Sequence, residues 1–169
     1  MADTSGQITE TLIREVKRRI RNECLQRVTY CLDQLTDDQI WWRPNDQSNS
    51  IGNLVLHLCG NMRQWILSGL GGQPDTRERQ LEFDQRGPVG KAELLRRLHQ
   101  VVDEIIPVIE RVQPDDLTTV YDVQIYRESG LAILVHVTEH FSYHTGQIAW
   151  ITKMLTAEDL GFYAGEELG

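Results

Sequence analysis

What this sequence is short of narrows its function before any motif does. Cysteine is scarce: Cys24, Cys31 and Cys59 make an odd number with no CxxC spacing, which excludes a disulfide framework and a zinc knuckle. Cys24 and Cys31 share one helix face and read as buried, reduced thiols. Positive charge is in deficit, with 17 Lys and Arg against 25 Asp and Glu and a formal net charge of −8. That is the wrong sign for a nucleic-acid surface. The one basic run, Lys17-Arg18-Arg19-Ile20-Arg21, is flanked by acids and reads as a solvated helix face. No stretch approaches the roughly 20 apolar residues of a membrane span. The opening MADTSGQITE lacks both the basic and the apolar regions of a signal peptide. The expectation is a cytoplasmic protein, one domain over residues 1–169, with neither nucleic acid nor membrane as partner.

Apolar periodicity supplies four helical segments. Residues 8–35 carry Ile8, Leu12, Val16, Ile20, Val28 and Leu35 at three-and-four spacing. Pro44 and the Asn/Asp/Ser cluster behind it make a loop that ends at an N-cap, Asn49 or Ser50. A second helix runs from 51 to about 70, closed by Gly71-Gly72. Residues 71–90, rich in Gly, Pro and charge, read as a long connection. The third helix covers about 91–112, with Pro107 predicting a kink or an end near 106. TTVYDVQIYRESG alternates like a short hairpin or extended segment, and Ser129 caps a fourth helix from 131 to about 155. The fold class is therefore all-α, a four-helix bundle. Its connection of roughly 20 residues between helices two and three is too long for simple antiparallel neighbours and favours a crossover.

What is present in excess is histidine at one spacing. HVTEHFSYHTGQ, residues 136–147, holds three of the five histidines. Five histidines scattered at random would give about 0.15 pairs four residues apart, and two such pairs occur. On a helix, residues four apart are turned by about 40° and rise about 6 Å. His140 and His144 can thus aim at one point, as paired metal ligands do. His136 is turned about 80° from His144, and one helix rarely supplies three ligands to one ion. The third should come from elsewhere, and His57, alone in the apolar run IGNLVLHLCGNM, is the candidate. A buried imidazole without a partner costs about 1–3 kcal/mol, and a shared ion would supply one. Three neutral imidazoles suit a divalent metal, Zn²⁺ with an open fourth position or Ni²⁺. The plain alternative is a set of satisfied core histidines or a histidine-rich surface.

Around those rings, Asn53 and Asn61 lie four residues either side of His57, and Tyr143 and Gln147 flank His144. All four are candidates for polar contacts behind the ligands or in a pocket. His99 reads as a surface residue. Glu139 points about 100° away from His140, which makes it a poor general base. Cys59 is about 200° round the helix from His57. Trp41, Trp42, Trp65 and Trp150 either wall a pocket or fill core and interface.

HFSYHTGQI resembles the fourth-helix signature of the DinB-like (damage-inducible) metal-binding four-helix bundle proteins. WWRPNDQSNSIGNLVLHLCGNMRQW matches the turn and second helix of the subgroup of unknown function, and order and spacing extend the likeness over nearly the whole chain. The resemblance implies a crossover bundle of the DinB/YfiT-like type, often homodimeric, with a divalent metal on His57, His140 and His144. His136 matches no ligand position and is left as a residue behind the ligands or in a channel. Relatives include thiol transferases that use bacillithiol, mycothiol or glutathione. The implied function is metal-dependent transfer of a low-molecular-weight thiol to a small electrophile. A non-catalytic, stress-associated metal-binding bundle is the alternative, and a metal-dependent hydrolase a third reading.

Overall fold

The computed structural model describes residues 4–87, 89–165 and 167. Helix α1 (residues 4–33) is continuous, but relaxes to π-helical bonding over Arg18–Cys24. It turns Val16, Ile20, Val28, Cys31 and Leu32 inward, the stripe that the apolar spacing describes. A short helix α2 (Asp37–Trp41) follows. Its Thr36 cap accepts from the Gln39 backbone N–H while the Gln39 side chain reaches back. Helix α3 (residues 51–70) starts the same way, with Ser50 and Asn53 in a capping box, and is π-helical over Arg63–Leu70. The connection after it is not structureless, since it carries a helix, α4 (Arg79–Asp84). Helix α5 is Lys91–Glu110, and after a 3-10 turn at Pro114–Leu117 come β1 (Val120–Val123), β2 (Tyr126–Ser129) and α6 (Gly130–Thr156).

The protein is mostly helical, as its periodicity predicts, with one departure from all-α. The alternating segment pairs with itself as an antiparallel two-stranded sheet, Val120 opposite Ser129 and Val123 opposite Tyr126. Gln124 makes its turn with φ of 55°. Ser129 leaves the sheet by capping α6, its hydroxyl accepting from the Ala132 N–H. Of the two outcomes open at Pro107, an end near 106 does not occur, since α5 runs on through it to Glu110. Proline costs a helix one hydrogen bond and a steric clash, but Ile105, Ile106 and Ile109 are buried on either side of it and hold the last turn against the core.

The long helices pack pairwise: α3 lies against α5 and α6, and α1 against α5 and α6. Their inward residues, among them Leu58, Ile66, Leu98, Ile105, Phe141 and Ile148, are fully buried. Each contributes about 1.5–3 kcal/mol relative to an exposed position. Among the described residues no helix is long and apolar enough to cross a membrane. For function, two consequences matter. Docking α3 beside α6 brings His57 to the HVTEHFSYHTGQ face, and α4 folds the 71–90 connection back onto α3.

Candidate metal centre

His57 is 5% exposed on α3, an imidazole in an apolar helix face. Its Nε2 lies 3.1 Å from Nε2 of His140, which lies 3.3 Å from Nε2 of His144. The ligating atoms of the three rings all fall within 4.8 Å of one another. Ligands of one tetrahedral ion with bonds of about 2.0–2.1 Å sit about 3.3 Å apart, so the two shorter separations have the spacing a shared ion requires.

The opposite edges of two rings settle which nitrogen faces inward. His57 Nδ1 is 2.9 Å from Oε2 of Glu82, which only accepts, and 3.1 Å from Nη2 of Arg77, which only donates. Because that Nη2 already donates to the same Oε2 at 2.8 Å, the proton is assigned to Nδ1, and Nε2 presents its lone pair. His144 Nδ1 donates to Oε1 of Gln147 at 2.6 Å, again leaving Nε2 as a lone pair. Convergent lone pairs repel unless a proton or a cation lies between them. His140 differs: its Nδ1 is buried and has no hydrogen-bond partner. Burial, then the neighbouring rings of His144 and His57, push its pKa down to about 3. Burial also lowers the pKa of His144, against the opposing bond from Gln147. Neutral imidazoles are the state in which histidine ligates.

Glu82 is the residue that holds this arrangement, and it arrives on α4. Burial alone would raise its pKa, but hydrogen bonds from Arg77 and His57 outweigh that and hold it below the usual carboxylate value. Arg77 donates from Nε to Oε1 at 2.7 Å and from Nη2 to Oε2 at 2.8 Å, a bidentate pair. Nη1 of Arg77 reaches Oε1 of Gln64 on α3 at 2.8 Å, and Gln64 in turn donates to Asp75 at 2.6 Å. The connection is thereby strapped over α3 by a chain of ionic and amide contacts ending on a histidine.

Gly60 makes the close approach possible. A Cβ on it would stand 1.8 Å from Oε1 of Glu82 and 2.8 Å from Nε of Arg77. Gly60→Ala is therefore expected to displace the pair and weaken zinc binding about 10–100-fold, the range for losing a partner behind a metal ligand. The reverse of helix propensity applies here, since alanine would otherwise stabilise a helix interior by about 1 kcal/mol. Calorimetric zinc titration of the variant checks it; unchanged affinity would show that the approach is not needed.

The family described as "Protein of unknown function (DUF1572)" matches residues 7–163 of the sequence. The chain belongs to the DUF1572 family. Among solved structures this DUF1572 chain resembles a DinB-like protein from Bacillus subtilis, 15% identical over 88% of this chain and 96% of that one, with a TM-score of 0.67. A DinB-like protein from Bacillus cereus ATCC 10987 is 18% identical over 79% of this chain and 87% of that one, at 0.64. A conserved protein from Enterococcus faecalis is 15% identical over 94% and 99%, at 0.62. These likenesses concern the fold, and they bear out the DinB-like resemblance that the two sequence signatures carry. No curated protein matches the sequence.

Of the polar residues singled out in the DUF1572 sequence, the structure brings only Gln147 directly onto a candidate ligand. Asn61 donates to Nε2 of His136 at 3.2 Å rather than to His57. Asn53 caps α3 and donates to the Glu82 and Gln85 carbonyls at 2.8 and 2.9 Å, tying down the strap. His136 stacks on Trp65, ring centroids 3.8 Å apart, beside the cluster rather than in it. Tyr143 is largely exposed, with its ring edge-on to His144. His99 bonds Thr29 across α1 and α5, 3.1 Å away, remote from the cluster. Glu139 is exposed, as its angle predicts. Glu82 and Arg77 escape sequence reasoning because they sit 25 and 20 residues from His57 in a Gly/Pro-rich connection, at no periodic spacing. Their one signal is that acids and bases alternate there, in DTRERQLE, where a plain linker needs none.

Proposed function

We propose that this DUF1572 protein binds one divalent metal ion, zinc or nickel, through Nε2 of His57, His140 and His144, and uses it to transfer a low-molecular-weight thiol to a small electrophile. The observation that carries the reading is the convergence of three imidazole nitrogens, two of them with Nδ1 already committed to Glu82 and Gln147. Bound there with a position left open, a divalent ion lowers the pKa of a thiol and supplies the thiolate that such transfer needs as nucleophile. The chain's own contribution is to orient. Glu82 holds the His57 ring, Gln147 holds that of His144, and Phe83 packs against His57 with ring centroids 4.8 Å apart. The protein's thiols are unsuited to the role, since burial pushes the Cys59 pKa up to about 12. The reading takes the long helices as a crossover four-helix bundle, acting as a homodimer.

The test is conjugation of several low-molecular-weight thiols to an electrophile such as chlorodinitrobenzene, with and without added metal. Metal-dependent turnover that vanishes in His140→Ala supports the transferase. A second reading has its own observation: His57 is tied through Glu82 to the strap, so an ion there would also fasten the connection to the helices. Absence of turnover with every thiol, together with a large rise in melting temperature on adding metal, would replace the enzyme with a metal-stabilised, non-catalytic protein.

A pH dependence follows from the His140 ring. Its folded pKa of about 3 lies below the unfolded reference of 6.5. Between those values the unfolded chain holds a proton that the folded one refuses, so stability of the metal-free protein falls as pH drops from 6.5 towards 3 and is level above. Urea midpoints at several pH values should show this slope, and His140→Ala should flatten it. An equally steep slope in the variant would assign the acid sensitivity elsewhere.

A further inference from the structure

The tryptophans that sequence could place either in a pocket wall or in the core divide cleanly. Trp41 is partly buried and packed against the core, its ring over Gly52 and its Nε1 donating to the Val89 carbonyl at 2.9 Å. Trp65 is 6% exposed beneath His136. Trp42 and Trp150, by contrast, are 37% and 64% exposed, and both border one groove of about 570 Å³ between the loop after α2 and the second half of α6. Such a volume falls in the range of small-molecule sites, about 300–1,000 Å³.

The composition of this groove restricts its occupant. Two indoles and the Met154 thioether supply flat, polarisable walls, suited to an aromatic or similarly planar apolar group. Gln47, Ser48 and Asn49 add amide and hydroxyl groups along one side. None of its twelve lining residues carries a charge, in a protein whose net charge is −8. A charged ligand would leave its hydration without a counter-charge in return, whereas an uncharged one loses little. Twelve residues are also fewer than the roughly 20–30 a side of a stable protein interface, which favours a small molecule over a second copy of the chain.

The groove also has an address. Gln147 and Tyr143 line it; Gln147 is also bonded to Nδ1 of His144 at 2.6 Å, and the Tyr143 ring stands edge-on to that of His144, 5.0 Å between centroids. The geometry points to this groove as the binding site of the electrophilic substrate, and to that substrate as an uncharged molecule with a flat, apolar body, seated between Trp42 and Trp150. The assignment of the occupant as the electrophile rests on the metal-dependent transfer proposed above. None of the lining residues offers a cation to a carboxylate-bearing thiol, and Arg43, beside them in the loop, is turned to the Ser48 carbonyl, so the two cosubstrates are expected to use different surfaces.

Naphthalene derivatives that share the ring and a methylene linker but differ in the charge of the head group test this: 1-naphthalenemethanol, the anionic 1-naphthaleneacetate and the cationic 1-naphthalenemethylamine, titrated calorimetrically at 0.3 M salt to screen the protein's overall charge. The alcohol should bind saturably, and at least tenfold tighter than either ion. Two variants locate the site. Trp42→Ala and Trp150→Ala each remove one of its walls. Each should weaken binding of the alcohol at least tenfold while zinc affinity stays unchanged. Equal binding of all three probes, or binding indifferent to both substitutions, would overturn the proposal. So would a concentration-dependent dimer that Trp150→Ala disrupts without any binding of the alcohol. If zinc fails to bind but the alcohol binds as described, the metal reading falls and the groove as an uncharged-ligand site stands.

Discussion

With His140 replaced by alanine, zinc titrated into the metal-free protein should bind at least about a hundredfold more weakly than to wild type. Binding free energies of about 10–16 kcal/mol for structural zinc with four ligands correspond to about 3 kcal/mol per ligand, or two orders of magnitude in Kd. His140 is the ring between the other two, its Nε2 at 3.1 and 3.3 Å from theirs, so no rearrangement of one neighbour replaces it. The loss also shows in stability. Zinc at 100 times Kd stabilises the wild type by about 2.7 kcal/mol, a rise in melting temperature of about 5–10 °C for a chain of this size, and the variant should show little of it. His99→Ala is the matched control, because His99 bonds Thr29 away from the cluster. Wild-type zinc affinity in His140→Ala would sink the metal centre.

Glu82→Ala should be the most damaging single change outside the hydrophobic core. The Arg77 side chain is 6% exposed and that of Glu82 11%, so removing the carboxylate strands a guanidinium away from both water and counter-charge. Breaking such a buried pair from one side costs about 3–5 kcal/mol, read directly as a lower urea midpoint at unchanged slope. The same deletion frees the His57 ring to turn, so zinc affinity should fall about 10–100-fold in parallel. Glu82→Gln separates the two effects. It keeps an oxygen for Nδ1 of His57 but not the charge for Arg77, and so should spare zinc binding more than stability. A Glu82→Ala protein within about 0.5 kcal/mol of wild type, the range of ordinary surface changes, would mean the strap is not held as described.

The three histidines were legible in sequence because two of them obey helical spacing and the third is an isolated polar residue in an apolar run. Both are local signals. The capping residues Ser50 and Ser129 were legible for the same reason, each standing just ahead of its helix. Glu82 and Arg77 obey no local rule: what selects them is the path of a connection over α3, and nothing periodic records a path. The π-helical stretches at Arg18–Cys24 and Arg63–Leu70 were equally silent. A shift of the backbone bond by one residue leaves side-chain chemistry unchanged, and in both stretches the apolar stripe still faces inward. At Pro107 the sequence leaves a kink or an end open, and the helix does not end there: an intrinsic cost of about 3 kcal/mol is outweighed by the burial of Ile105, Ile106 and Ile109.

His57 and His140 are 83 residues apart, whereas His140 and His144 are one helical turn apart. Closing a loop of that length costs roughly 4 kcal/mol of chain entropy on the (3/2)RT ln n scale, so the unfolded chain presents an ion with a pair of imidazoles and not a trio. On a ribosome, the trio has no existence until α6 has emerged and docked beside α3. Anything that needs all three rings therefore distinguishes the finished molecule from every shorter or partly folded form of itself.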